Sequence, residues 1–338
     1  MKLKTISFLA LTFALLACSK ESPIVPEENK GELQFSSSPI DLEGIDAQYA
    51  ADVSYDQYEA SKFDIFLPNS ATPTGLVVYI HGGGFTGGDK AFVYKDPYPE
   101  HIRTLLSQDI AVATINYRLI ENGDTEGVLK SLNDSKRALQ YIRYKSEELN
   151  IDKERVVLFG TSAGASTSLW LATNDDQKEP SNADPVLQES SRVLGIALNA
   201  TQSSLDIENR WLNNVFADFG TTWEYMVAEF DESTLFNFYG VSSWEEYETP
   251  EIEAYRQKVD MLATISADDP EIWVSNTGGT NELPQTTGHW YHHPFHAREI
   301  KEFADAAGVP NVCNYGKPLL YSDGQEEYVD FLIRKLNE

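Results

Sequence analysis

Two glycine-rich motifs, each directly after an apolar run, constrain the fold of this chain most. His81-Gly82-Gly83-Gly84 follows the apolar run 76–80, and Gly160-Thr161-Ser162-Ala163-Gly164 follows the run 155–159. Continuous apolar runs of this length are typical of buried parallel strands. Each motif therefore stands where a central strand ends. Both motifs are expected at the carboxyl edge of one sheet.

The second motif favours a sharp turn from strand to helix. Glycines on both sides of Ser162 remove side chains that would collide with neighbouring elements, so the hydroxyl can be held outward. Bare backbone N–H groups in the first motif can approach a developing oxyanion closely. The pair predicts Ser162 as an activated nucleophile, with the amides of Gly83, Gly84 and Ala163 as oxyanion donors.

The rest of the chain alternates apolar strand patterns with amphipathic helix patterns. Further strands are predicted at 62–67, 110–117, 192–198, 272–275 and 311–314. This alternation predicts an α/β fold with a mostly parallel central sheet and helices on both faces.

The N-terminal residues predict that the protein is exported to the bacterial envelope. Lysines precede the apolar stretch 6–16, which is shorter than the ~20 residues that span a bilayer. Residues 1–17 are therefore interpreted as a signal peptide. The run Leu15-Leu16-Ala17-Cys18 resembles a lipobox, and this resemblance implies lipidation of Cys18 and attachment to a membrane at the periplasm or cell surface. The alternative is a secretory signal with an incidental cysteine. Residues 18–38 are predicted to form a flexible tether, and 39–338 the folded domain.

The composition argues against a nucleic-acid partner and against a disulfide framework. The formal net charge is −27, and losing the two positive charges of Lys2 and Lys4 with the signal makes it −29. Nucleic acid is therefore not expected as a partner. With Cys18 lipidated, the remaining cysteine, Cys313, has no partner, so no disulfide framework is expected. The sequence does not determine the oligomeric state.

By these motifs the chain resembles the α/β-hydrolase superfamily, and within it the hormone-sensitive-lipase-like and bacterial feruloyl and acetyl-xylan esterase groups. The runs Phe63-Asp64-Ile65-Phe66-Leu67-Pro68 and Asn116-Tyr117-Arg118-Leu119 add to the resemblance. It implies a serine esterase without a cofactor. Acetyl or feruloyl groups on carbohydrate are the substrates we expect.

The histidine departs from the family pattern. The superfamily places it after the last strand, but residues 315–325 contain none. Four histidines, His289, His292, His293 and His296, instead follow the strand 272–275, in the loop that ordinarily carries the acid. We predict that His292 or His293 serves Ser162. The alternative is that these histidines have only surface or packing roles.

The same cluster also suggests a metal site, because two imidazoles on one helix face suit zinc or nickel. Pro294 interrupts such a helix, and no cysteine lies close. We therefore predict no metal.

For the acid we predict Glu282, which follows the strand 272–275, or Asp206, which follows the strand 192–198. Asp268 and Asp269 are set aside because they precede their strand. They should lie at the opposite edge, roughly 15 Å away at about 3.3 Å per residue.

Residues 200–262 form an insertion rich in aromatic residues, and we predict a helical cap over the catalytic edge. Most of its rings are expected in the core of the cap, and a minority against substrate. A competing hypothesis is a catalytically impaired surface lipoprotein that binds glycan. The absent histidine after the last strand supports it, whereas Ser162 and the glycine loop argue against it.

Overall fold

The structure is a computed structural model that describes residues 33–338. The strands are β1 (Phe35–Ser36), β2 (Ala47–Ser54), β3 (Lys62–Pro68), β4 (Thr74–Ile80), β5 (Ile110–Ile115), β6 (Ile151–Thr161), β7 (Gly195–Asn199), β8 (Glu271–Asn276), β9 (Asn311–Tyr315) and β10 (Tyr321–Ser322). They form one sheet in the order β1-β2-β3-β5-β4-β6-β7-β8-β9-β10. Neighbours from β5 to β9 are parallel, and the outer strands pair antiparallel. The predicted mostly parallel α/β sheet is confirmed.

The α-helices are α1 (Tyr98–Leu106), α2 (Val128–Tyr144), α3 (Ala163–Thr173), α4 (Trp223–Glu229), α5 (Glu232–Tyr239), α6 (Trp244–Tyr247), α7 (Pro250–Lys258), α8 (Met261–Thr264), α9 (Thr287–Tyr291), α10 (Pro294–Ala307) and α11 (Tyr328–Asn337). A π-helix, Ile207–Val215, precedes α4.

Different helices cover the two faces of the sheet. Along β4, Leu76, Val78 and Ile80 belong to one apolar cluster, whereas Val77 and Tyr79 belong to the other. This alternation follows from the two-residue period of a strand. Helices α2, α3 and α10 contribute to the first cluster, and α1 and α11 to the second. The central strands are thus buried on both faces, which explains their continuous apolar runs.

The aromatic insertion consists of the π-helix, a short 3-10 helix (Ala217–Phe219) and the helices α4 to α8. Several of its large rings, including Trp211, Phe216 and Tyr239, are buried. They join the apolar cluster that also contains α3 and α10. These rings are therefore core residues of the folded domain.

The N-terminal predictions fall mostly outside the described residues. The signal peptide 1–17 and Cys18 lie there entirely. The predicted tether, 18–38, needs a correction at its end, because Phe35 and Ser36 pair with Ala50 and Tyr49 of β2. Among residues 33–338, no helix combines the length and apolar composition that crossing a bilayer requires.

Candidate active site

Ser162 occupies the sharp turn between β6 and α3. Its backbone lies in the left-handed region, with φ +56° and ψ −122°, a conformation that a non-glycine residue adopts at an energetic cost. The Ser162 N–H donates to the carbonyl of Asn199 over 2.9 Å. A Cβ on Gly164 would lie 1.9 Å from the carbonyl oxygen of Ile80. Only glycine therefore lets α3 approach the end of β4 this closely.

The glycine loop after β4 lies directly against this turn. A Cβ on Gly82 would lie 2.7 Å from the carbonyl oxygen of Thr161. Within residues 33–338, the N–H groups of Gly83, Gly84 and Ala163 have no hydrogen-bond acceptor. Gly83 and Gly84 line the same cavity as Ser162. Two of the predicted oxyanion donors thus share a cavity with Ser162, and the third, Ala163, is the residue directly after it.

His292 is the histidine that reaches Ser162. Its Nε2 lies 2.8 Å from the Ser162 Oγ. It is the residue that ends α9, in the loop after β8. In the tautomer that carries its proton on Nδ1, Nε2 accepts from the serine hydroxyl. Burial lowers the pKa of His292 below its ordinary value of 6.5, and the nearby Gly288 carbonyl opposes part of that shift. A neutral imidazole can therefore accept the serine proton at neutral pH.

The other histidines of the cluster bind backbone groups. His289 Nε2 lies 2.9 Å from the Thr280 carbonyl oxygen. His296 is fully buried, with Nε2 2.9 Å from the Trp290 carbonyl oxygen. Burial lowers the pKa of His296 to about 3. In residues 33–338 no group of three or more His, Cys, Asp or Glu side chains could hold a metal ion.

His293, the second predicted candidate, has a structural position. Its Nδ1 accepts from the backbone N–H of Phe295 over 3.1 Å and caps α10. Its Nε2 lies 3.1 Å from the carbonyl oxygen of Glu282. Burial lowers the pKa of His293 to about 4. Both ring nitrogens are occupied, so this ring does not contact Ser162.

Neither predicted acid contacts His292. The Glu282 side chain is exposed, and this residue meets the histidine cluster only through its carbonyl. Asp206 is buried, but its carboxylate accepts from the Asn209 N–H and caps the π-helix. Across residues 33–338, no carboxylate hydrogen-bonds to the His292 ring. Both assignments are corrected by the structure: one side chain points to solvent, and the other terminates a helix.

A cavity of about 630 Å³ opens onto Ser162 and His292. This volume is within the range of small-ligand sites. The apolar part of its wall comprises Phe85, Ile120, Leu205, Ile207, Trp211 and Phe238. Polar residues from the segment after β5 and from α5 also line it, namely Glu121, Asn122, Thr234 and Asn237. The site thus combines an apolar interior with a polar rim.

Gln202 is buried and lines this cavity, and it was not among the site residues predicted from sequence. Its position is three residues beyond the end of β7. A polar residue just after a parallel strand is a signal that could have identified it.

The sheet order and the nucleophile turn agree with a match to a family model. The model of the BD-FAE family matches residues 63–218, which include both glycine motifs. The matched segment is just under half of the chain, and in this segment the chain resembles the α/β-hydrolase superfamily.

The relatives and solved structures that the chain resembles include several esterases. The chain is 28% identical over 147 residues to a probable isoprenylcysteine alpha-carbonyl methylesterase of Arabidopsis thaliana, a match that covers 42% of this chain and 28% of that protein. It is 34% identical over 106 residues to the chlorogenic acid esterase of Aspergillus niger, covering 30% of this chain and 20% of that protein. The match thus spans less than a third of either relative's length.

The fold extends over most of two solved structures. A truncated carbohydrate esterase from gut microbiota superposes with a TM-score of 0.60 at 16% identity, covering 92% of this chain and all of that one. An acetyl ester-xyloside bifunctional hydrolase from Caldicellulosiruptor lactoaceticus gives a TM-score of 0.52 at 18% identity, covering 87% and 86%. At these identities the likeness describes the fold.

Proposed function

We propose that this hydrolase is a serine esterase that cleaves carboxylic esters through an acyl-enzyme on Ser162. One observation carries the proposal: Ser162 Oγ lies 2.8 Å from His292 Nε2, beside backbone amides without acceptors. Ser162 attacks the ester carbonyl while His292 takes its proton. The amides of Gly83, Gly84 and Ala163 stabilise the tetrahedral oxyanion. His292 then protonates the leaving alcohol, and water releases the acid by the same route.

The substrate we propose is a carbohydrate ester carrying an acetyl or feruloyl group. The carbohydrate esterase and the acetyl ester-xyloside hydrolase among the structural neighbours support this class, as does the chlorogenic acid esterase among the relatives. The apolar wall suits an acyl group, and the polar rim at Asn122, Thr234 and Asn237 suits a sugar hydroxyl. The strongly acidic chain disfavours an anionic alcohol.

We also propose that Cys18 is lipidated and attaches the domain to a membrane of the bacterial envelope. The lipobox-like run before Cys18 supports this address. The segment from residue 19 towards 32 is rich in Ser, Pro, Glu and Asn, a composition that suits a spacer between anchor and domain.

The test of the esterase proposal is hydrolysis of p-nitrophenyl acetate, acetylated xylan and feruloylated arabinoxylan by the purified protein. We expect activity that Ser162→Ala and His292→Ala both remove. His289→Ala is the matched control, because the His289 ring bonds to the Thr280 carbonyl and stacks on His293, and its loss should leave activity near wild type. If no ester is cleaved above the Ser162→Ala background, the proposal is contradicted, and glycan binding becomes the favoured function.

A further inference from the structure

Two buried side-chain amides hold the backbone on both sides of His292. Gln202 Nε2 donates to the carbonyl of Tyr291 over 2.8 Å. Asn276 Nδ2 donates to the carbonyl of His293 over 3.1 Å. Gln202 is 5% exposed and Asn276 is 1% exposed. The residues directly before and after His292 are therefore each fixed from the interior.

The first amide joins the histidine loop to the nucleophile helix. Gln202 Oε1 accepts from the Ser166 hydroxyl over 2.7 Å. Ser166 lies one helical turn after Ser162, and its N–H donates to the Ser162 carbonyl. Gln202 thus spans from the segment that carries the nucleophile to the segment that carries the base. Its length sets the separation of the two segments.

The second amide joins the loops after β7 and β8. Asn276, the last residue of β8, accepts from the Thr201 N–H over 2.9 Å through Oδ1. Its Nδ2 also donates to the Thr201 carbonyl over 2.9 Å. The loop that holds Gln202 is therefore itself attached to the end of the strand that leads to His292.

These contacts matter because the His292 ring has no carboxylate among the described residues. In a serine, histidine and acid triad, the carboxylate fixes the tautomer and the orientation of the imidazole. Here the backbone N–H of His292 donates to the Gly288 carbonyl over 3.2 Å, and this neutral group lies close to the ring. It belongs to α9, a helix of 5 residues. A short helix at the surface does not hold a ring in place unless its own backbone is fixed.

We propose that Gln202 and Asn276 are positioning residues, which hold His292 against Ser162 through the backbone in place of a carboxylate. The inference rests on the proposed esterase function. Truncating either amide leaves a buried carbonyl without its donor and lets the imidazole move relative to Ser162. A displacement of about 1 Å can lower a rate on the order of 10²-fold.

The test compares Gln202→Met with a control elsewhere in the fold. Gln140 is fully buried in α2, and its Nε2 donates to the Glu189 carbonyl over 2.7 Å. Gln140→Met removes the same kind of hydrogen bond far from Ser162. We expect similar losses of unfolding free energy in both variants. Only Gln202→Met should lower kcat, on the order of 10 to 10²-fold, with KM nearly unchanged.

A second measurement does not depend on the substrate. Fluorophosphonate probes label an activated serine, so their rate reports the Ser162–His292 pair directly. We expect slower labelling in Gln202→Met and Asn276→Ala, and normal labelling in Gln140→Met. Ser166→Ala removes the hydroxyl that donates to Gln202 Oε1, but it leaves the bond from Gln202 Nε2 to the Tyr291 carbonyl in place. It should therefore slow labelling less than Gln202→Met does. Ser166→Ala also tests the inference if Gln202→Met fails to fold.

The outcomes separate the two proposals. If wild type neither hydrolyses esters nor reacts with the probe at Ser162, the proposed function and this inference both fail. If wild type is active and Gln202→Met is labelled as fast as Gln140→Met, the positioning inference alone is overturned. A rise in KM with unchanged kcat would also overturn it, because Gln202 would then be a substrate contact in the cavity wall.

Discussion

Replacing His292 and His293 separately by alanine should give opposite effects, and this contrast tests the assignment of the base. His293 caps α10, which is worth about 1 kcal/mol. Its Nε2 contact with the Glu282 carbonyl adds about 1 kcal/mol. Its ring also packs against Phe216 and Phe295, with ring centroids 5.3 and 4.6 Å away. Such ring pairs contribute about 0.5–1.5 kcal/mol each. His293→Ala should therefore lower the unfolding free energy by about 3–5 kcal/mol.

A domain whose stability exceeds about 6 kcal/mol, within the range of about 5–15 kcal/mol for ordinary domains, stays mostly folded at 25 °C after such a loss. The folded fraction of His293→Ala should then keep kcat within about tenfold of wild type. His292 is only half-buried and its side chain caps no helix, so replacing it by alanine should change stability by about 1 kcal/mol or less. It removes the general base, and kcat should fall on the order of 10³-fold.

The assay measures kcat on a p-nitrophenyl ester at 25 °C and urea unfolding for each variant. Activity is divided by the folded fraction so that the two effects remain separate. The reasoning is refuted if folded His293→Ala is inactive, or if His292→Ala retains wild-type kcat. Either result would mean that the 2.8 Å contact with Ser162 is not the catalytic one.

Four further outcomes are expected. Burial lowers the pKa of His292, and the base must be neutral to accept a proton. The value of kcat/KM should therefore be constant around pH 7 and fall to half its maximum only below pH 6.5. A midpoint above pH 6.5 in the pH–rate profile would contradict this. Gly83→Ala would place a Cβ 2.2 Å from a backbone carbonyl oxygen at φ +115°, so kcat should fall on the order of 10²-fold. In contrast, Gly278→Ala meets open space and should match wild type in the same assay. His296 is buried with its pKa lowered to about 3, so the unfolded chain binds a proton that the folded one excludes. Urea unfolding should show stability falling from pH 6.5 to pH 5, by up to about 1.4 kcal/mol per pH unit from this group, and a flat profile would count against its buried neutral state. Cys18→Ala should move the protein from the membrane fraction to the soluble fraction, as followed by immunoblot, whereas unchanged membrane attachment would argue against lipidation.

Most of the strands that were predicted from sequence are buried on both faces, because such strands have continuous apolar runs. β4 and β5 are of this kind. β2 escaped prediction because its register shifts between Ala50 and Val53, and Asp52 within it has a positive φ of +53°. This irregularity breaks the two-residue alternation on which strand prediction depends. β1 and β10 are two residues long and show no period at all.

The site divides in the same way between local and non-local features. Ser162 and the glycine loop are encoded by residues adjacent in the chain, so their motifs were sufficient. The choice between His292 and His293 depends on where α9 ends and α10 begins. His292 ends α9 and faces Ser162, whereas His293, one residue later, caps α10. A spacing argument cannot resolve two neighbouring residues whose side chains diverge at a helix break.

The predicted acids failed because a carboxylate partner is defined only by contact in space. Glu282 was chosen for its loop, and that loop is indeed close, but it contributes its carbonyl to His293. Asp206 was chosen for its strand, and the start of the π-helix uses its carboxylate instead. A single sequence does not distinguish these two roles, a carbonyl contact and a helix cap, from the predicted role as the acid.

The sheet order explains why the histidine comes from the loop after β8. Strands lie about 4.8 Å apart, so β8 is about 10 Å from the nucleophile strand β6, and β9 about 14 Å. The chain after β9 turns back into β10, with Tyr321 paired to Tyr315, and so remains at the outer edge. β7 is the strand between β6 and β8, and the segment that follows it carries Gln202. Gln202 therefore lies between the segments that carry Ser162 and His292, and its side-chain amide donates to the Tyr291 carbonyl. For this reason we infer that the main chain fixes the orientation of the imidazole.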